Sequence, residues 1–371
     1  MKGENLEIYV FDKDLNFLGV VNLFETLVWK RRYHKAGDFM LKCPFTEENR
    51  QLLKEGNIIW KKDDLEAGVI ETKSVLGEDI TVSGPFLTSY LGRRIIWGTF
   101  YAENYTFEHL MRIMVNTNCI NVVPSDRVIP YLKLGRLNFF KETTSYQASY
   151  KNILTELEEI SNKSGLGYRV EFNPFDKQLL FQVYQGLDRT EGQKVNSPCI
   201  FSQEFENVME QDYTKSLTDY RNVALIGGQG EGMNRKLVDI GLYSGLERYE
   251  MFVDARDIQD KVQNESGEEK NLTEEEVKNL LIERGKQKLA ECKKIESFNS
   301  VINLNSNLEY KKDFDLGDIV TMSSQRLRVI LSTRITEIEE VYTRNETNIN
   351  IVFGNDVPSF KDKIRVIQYR W

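Results

Sequence analysis

The sequence predicts an α+β protein that is mostly β, and three observations predict it. Short apolar runs bounded by turn residues fill the first hundred positions and return from residue 301 to residue 354. Apolar residues recur at helical spacing in three stretches only, two in the middle of the chain and one after residue 273. Hydrophobic residues make up 40% of the 371 and charged residues 29%, the balance of a soluble folded chain rather than a disordered or collagenous one. At roughly 100–200 residues per domain, this length holds two to four domains.

The first elements read as strands. Leu6–Phe11 and Phe17–Val21 flank Asp12-Lys13-Asp14-Leu15-Asn16, a hairpin turn by composition. A calcium loop would need Gly at its sixth position and Glu at its twelfth, where Phe17 and Leu23 stand. Phe39–Cys43, Asn57–Trp60, Ala67–Ile70 and Asp79–Gly84 follow, at a density that suggests a barrel or sandwich.

The period then changes. Thr106 caps a helix whose stripe is Phe107, Leu110, Met111, Met114 and Val115. A second stripe, Tyr150, Ile153, Leu154, Leu157 and Ile160, stops at Ser164-Gly165-Leu166-Gly167, and strands resume at Tyr168–Phe172 and Gln178–Val183. This is a small α+β unit. Glu158 and Glu159 on its second helix point about 100° apart, which favours a solvated face over a catalytic carboxylate pair.

Arg221–Ile226 runs into Gly227-Gly228-Gln229-Gly230-Glu231-Gly232. The spacing is GxGxG rather than GxGxxG, and no helical stripe follows at Met233–Val238, so a turn between antiparallel strands is expected instead of a nucleotide site. After Phe252–Asp257, the polar stretch from Gln259 to Asn271 reads as an exposed loop. Thr273 and Glu276 then form a capping box for a helix running to Ile295, with the stripe Val277, Leu280, Leu281, Leu289, Cys292 and Ile295. Closing strands are expected at Val301–Leu304, Asp318–Met322, Leu327–Leu331, Ile335–Ile338 and Asn348–Gly354. Asp313, Asp315 and Asp318 lack the Gly and Glu of a metal loop and read as a turn. Tyr369 and Trp371, beside charge in the segment from Pro358 on, are residues of a kind that dock onto a partner.

Composition limits the chemistry. His34, in the basic run Lys30–Lys35, and His109, within an apolar helical stripe, are the only histidines, so a His-rich zinc site and HExxH are excluded. Both are expected to be packed or surface residues. Cys43, Cys119, Cys199 and Cys292 form no CxxC pair and are expected to be reduced. The net charge of 49 − 57 = −8 offers no broad positive field for nucleic acid. No apolar stretch follows the charge near Met1, and none reaches the roughly 20 residues of a membrane span, so a chain made in a cytoplasm and not exported is expected. No catalytic, cofactor-binding or metal-binding residue is assigned.

Several strings, taken in order, resemble phage baseplate hub proteins of the Gp37-like type, from phages and phage-derived tail particles of Gram-positive bacteria. They are Phe11-Asp12 … Phe17-Leu18-Gly19 … Trp29 … Tyr33 … Gly37-Asp38-Phe39, then Val82-Ser83-Gly84 … Leu87 … Leu91 to Ile96. Tyr220-Arg221-Asn222-Val223-Ala224 … Gly227 to Gly232 … Arg235, Phe252–Asp257 and Phe314–Val320 complete the set across nearly the whole chain. The resemblance implies a structural ring: three copies around a tail axis, each with two β-barrel-like domains, so that six similar units meet a six-fold tail tube. It implies a first barrel at 1–97 plus about 178–220 and an α+β insertion at 98–177. The second barrel would be 220–250 plus 296–355, with a loop-and-helix insertion at 251–295 and a tail at 356–371. The implied partners are two further copies, the tail tube or a distal tube protein, a spike or tip protein, and the tape measure and other baseplate proteins, with no specific nucleic-acid binding and no membrane insertion. The implied location is the baseplate of a virion or tail-like particle assembled in the host cytoplasm. Alternatives are a cell-wall-degrading or glycan-binding tail-tip protein and a distal tail ring protein.

Overall fold

The computed structural model describes residues 6–263 and 269–354. The mostly β, α+β class is observed. None of the sheets closes into a complete barrel by strand pairing among the described residues.

The first unit contains β1 (Ile8–Phe11), β2 (Phe17–Val21), β3 (Thr26–Arg32), β4 (Asp38–Pro44), the short helix α1 (Glu47–Leu52), β5 (Ile58–Lys61), β6 (Gly68–Val69), β7 (Thr72–Leu76) and β8 (Asp79–Pro85). β1 and β2 are the expected hairpin. An Asp12 carboxylate oxygen accepts from the backbone N–H groups of Asp14 and Asn16, both at 2.8 Å, and so serves the turn. One sheet has the order β2-β1-β5-β6, and β3-β4-β8-β7 lie side by side in another. β6 and β7 are successive halves of one run that leaves the first sheet for the second. The crossing depends on Gly84, where a Cβ would stand 1.9 Å from the Val69 carbonyl oxygen. Ile8, Val10, Leu27, Trp29, Phe39 and Phe86 fill the space between the two sheets.

The second unit contains β9 (Thr99–Thr106), α2 (Phe107–Val115), β10 (Leu132–Leu134), β11 (Thr143–Ser149), α3 (Ile153–Ser164), β12 (Gly167–Asn173) and β13 (Gln178–Tyr184). Thr106 caps α2 and the predicted stripe is buried. His109 lies off that stripe, exposed, its ring against Tyr105. Asn152 caps α3 and Gly165 ends it at φ +71°, which leaves Tyr150 outside the helix and exposed rather than on its stripe. β9 pairs with β11, and β12 and β10 flank β13.

The rest contains β14 (Asp188–Arg189), β15 (Ile200–Phe201), β16 (Val208–Ser216), β17 (Val223–Gly227), β18 (Leu237–Ile240), β19 (Glu250–Asp254), β20 (Lys261–Gln263), β21 (Glu269–Asn271), α4 (Glu274–Glu291), β22 (Ile295–Ile302), β23 (Ile319–Ser324), β24 (Val329–Thr343) and β25 (Thr347–Gly354). The main sheet continues from the first unit in the order β16-β22-β25-β24-β3-β4-β8-β7, with β23 on the early half of β24.

The strand pairings are these. β13 joins the insertion's own sheet, where Leu179, Phe181 and Val183 share a core with α2 and α3. β16 pairs with β22 at the edge of the main sheet, Tyr213 stacking 4.8 Å from Phe298. β18, β17 and β19 form a separate sheet packed on α4, with β19 parallel to β17. The stretch expected as a loop carries the β20–β21 pairing. α4 ends at Glu291, and Ile295 opens β22. The two runs expected at 327–338 fall on one 15-residue strand. Residues 356–371, including Tyr369 and Trp371, lie outside the described residues.

Candidate assembly surfaces

The joint between the early and late sheets is β3 against β24, paired from Arg32↔Glu337 to Thr26↔Thr343. Strict alternation along β3 turns Leu27, Trp29 and Arg31 inward and Lys30 and Arg32 outward. Arg31 is therefore a buried cation, 2% exposed. It donates to Tyr310 Oη at 2.9 Å and Asp315 Oδ1 at 2.8 Å and stands 3.6 Å from Glu66 Oε2. Beside it, Lys61 contacts Glu340 at 2.5 Å and Asp64 at 3.1 Å, and Lys311 reaches Asp64 at 3.2 Å. Tyr342 donates to Glu340. Burial pushes the Glu66 carboxyl up to about 7, against the opposing pull of Arg31. Asp64 is also penalised by burial, yet Lys61, Arg31 and Lys311 hold it far below the usual carboxylate range. This network crosses from the first unit to the last and does structural work. The run Lys30–Lys35 gave no sign of it, because a charged run reads as surface.

His34 closes a second joint. Its Nδ1 lies 2.7 Å from Ser161 Oγ on α3, and burial, then Arg334, push it down to about 3, so it is neutral at physiological pH. The Asp313-to-Asp318 turn is likewise structural. Asp318 pairs with Arg189 at 2.9 Å and accepts from the Leu187 N–H at 2.7 Å, tying β23 to β14. Glu159 does not face solvent as expected: it bonds Gln287 and Lys288 of α4. Next to it Tyr146 donates to buried Glu156, whose carboxyl is raised to about 7 by burial and by the Glu159 charge. Cys43, Cys119 and Cys199 are buried free thiols, and Cys292 is half-buried. No group of three or more His, Cys, Asp or Glu is placed to hold a metal among the described residues.

Two surfaces remain available to partners. On the outer face of the main sheet, ion pairs link neighbouring strands: Lys30 to Glu337 and Glu339, Arg32 to Asp38 and Glu337, Lys42 to Glu25 and Asp79. On the β18-β17-β19 sheet, Ala224, Ile226 and Val253 face α4. The opposite face carries exposed Leu225, Leu237 and Phe252. The glycine cluster is the β17–β18 turn, with Gly230 and Gly232 at φ +104° and +55° as expected of a turn. Its tip shows Met233, and the β18–β19 connection shows Leu242 and Leu246, at 103, 102 and 98% exposure. Fully exposed apolar side chains at this density mark a contact surface, and periodicity could not reveal them because they sit in loops.

The fold is that of a mostly β protein whose interlocked sheets are held by buried ion networks and whose loop tips present apolar side chains. A family model described as Siphovirus ReqiPepy6 Gp37-like protein matches residues 7–355, and the chain belongs to that family. No curated protein sequence matches it. Solved structures that share its fold include three tail proteins. The 43 kDa tail protein of prophage MuSo2 from Shewanella oneidensis is 12% identical, with 94% of this chain and 98% of that one covered and a TM-score of 0.55. The tail protein from Neisseria meningitidis MC58 gives 12%, 95% and 96%, and 0.54. Prophage tail protein gp18 from Listeria monocytogenes EGD-e gives 11%, 98% and 99%, and 0.54.

Proposed function

We propose that the chain is a non-enzymatic baseplate hub: three copies form a ring that joins a six-fold tail tube to a three-fold spike or tip protein. The particle is a phage or phage-tail-like particle assembled in the host cytoplasm, and the ring stands at the tip of its tail. One observation carries this reading, the β3–β24 pairing that joins the early and late strands in a single continuous sheet. Two units per chain in a fixed relation, repeated three times, offer six similar docking positions to a tube. The two units would be residues 6–97 and 187–354, with 98–186 inserted between them and the β17–β21 and α4 segment inserted in the second. Membership of the family supports the tail location. Further neighbours would be a distal tube protein, the tape measure and other baseplate proteins.

Light scattering on the purified chain tests the ring. The expected mass is 3 × 43.3 = 129.9 kDa for the chain alone, or that mass plus the bound tube protein where the ring closes only on the tube. A monomer under both conditions, absent from the tips of labelled tails, overturns the reading.

A further inference from the structure

We infer, resting on the ring reading above, that the outer face of the β18-β17-β19 sheet of one copy closes on a basic aromatic patch around Trp97 of the next. A closed ring needs two different, complementary faces on each copy. The first is the sheet face with Leu225, Phe252 and the loop tips Met233, Leu242 and Leu246. Between residues 223 and 254 it carries Glu231, Asp239, Glu247, Glu250 and Asp254 against Arg235, Lys236 and Arg248, a net charge of 3 − 5 = −2. Two of those cations are already committed, Arg235 to Asp254 at 2.9 Å and Arg248 to Glu250 at 2.5 Å. Arg235 also lies over the Phe252 ring, 5.1 Å from its centroid.

The second face gathers where β9 begins and β11 ends. Trp97 is 62% exposed, with the Arg127 guanidinium stacked 4.5 Å from its ring centroid. Arg127 is fixed in that position by donating to the Ile95 carbonyl at 2.6 Å. Tyr150, tied to Gly98 by a backbone bond, is exposed beside it, as is Ile95. Arg93, Arg94, Arg127 and Lys151 lie around it, tied by Arg94 to the Arg127 carbonyl at 2.6 Å and by the Ile96 N–H to the Lys151 carbonyl at 2.8 Å; against Glu71, which pairs with Arg93 at 3.4 Å, and Asp126, they give 4 − 2 = +2. Exposed tryptophan and arginine held in place before contact are the side chains that dominate binding energy in protein interfaces.

The two faces complement one another in charge and are both apolar at their centres. They cannot meet within one chain, because α4 packs beneath the small sheet and lies against α3 and β11 on its other side. The contact is therefore between copies.

The test is light scattering, with circular dichroism melting as a control for folding, on the full chain. Leu246→Asp and Trp97→Asp are each expected to convert the trimer to monomer with the circular dichroism spectrum unchanged, since neither side chain is in a core, while the melting point falls only by the lost association. Asp239→Lys with Glu247→Lys, and separately Arg93→Glu with Lys151→Glu, are expected to weaken the trimer at least tenfold in dissociation constant. Combining the two pairs should restore it. A wild-type trimer that survives all these variants overturns this contact and leaves the ring reading standing. A wild-type chain that never forms a trimer, with or without the tube protein, removes the ring reading and this contact with it.

Discussion

Arg31 shows how a single alternating strand sets the chemistry of the joint. The residue is inward because Leu27 and Trp29 are inward, two and one steps of the same period before it. Once buried, it requires the carboxylates it meets. Arg31→Met should cost about 3–5 kcal/mol, because Asp315, Glu66 and Asp64 lose a shared counter-ion while remaining in place; denaturant unfolding measures it. Glu66 gives a pH prediction. Its folded-state value near 7 lies above the ordinary 4.5, so its stabilising contribution is complete below pH 4.5 and is lost as pH rises through 7. Glu156 has the same sign for the same reason, burial. Each move from 4.5 to about 7 is worth on the order of 3 kcal/mol at most. Glu66→Gln and Glu156→Gln should each reduce the fall in stability between pH 5 and pH 8, and the double variant should reduce it by the sum. A single variant whose pH profile matches wild type refutes the assignment for that residue.

At the scale of elements, helices were far more legible than strand partners. Thr106 and its stripe, and Thr273 with Glu276, are local signals, and both helices begin where the sequence puts them. Glu159 meets α4 rather than solvent, which helix periodicity does not reveal, because it says which residues share a face but not what lies opposite that face. Here the opposite element is α4, 115 residues later in the chain. α4 meets its sheet through Gly285, where a Cβ would stand 2.6 Å from Ile226 Cδ1 and 2.8 Å from Ile240 Cδ1. The glycine thus sets how closely helix and sheet approach. Gly285→Leu should force them apart and destabilise by about 1–3 kcal/mol. Thr273→Ala should cost only about 1 kcal/mol, since it removes a cap from an exposed helix start. Thermal melts of the two variants should rank in that order, and a Gly285→Leu protein as stable as wild type would contradict the close packing.

For the whole molecule, the decisive feature is that one strand serves two sheets. Residues 329–334 of β24 pair with β23, and from Ile335 on the strand pairs with β25 and then with β3 as well. The sequence shows two apolar runs at 327–331 and 335–338 because polar Ser332, Thr333 and Arg334 close the half that pairs with β23, and the register shift follows between Ile335 and Glu337, where the strand passes to β25. Its partner β3 lies some 300 residues earlier, a separation that no local pattern encodes. The consequence is mechanical coupling: the first and last units share backbone hydrogen bonds as well as the Arg31 network, so they should unfold together in one calorimetric transition. Val341 sits in the stretch flanked by Asn348 of β25 on one side and Val28 of β3 on the other. Val341→Pro removes an N–H from the centre of that ladder and places a ring where the sheet has no room for it. The variant should split the single transition into two, the lower one belonging to the unit that loses its neighbour, and should open the 343–347 turn to limited proteolysis. Two transitions in the wild-type protein would mean that the units are joined by contact alone, and the proposed ring would lose the fixed two-unit spacing on which it rests.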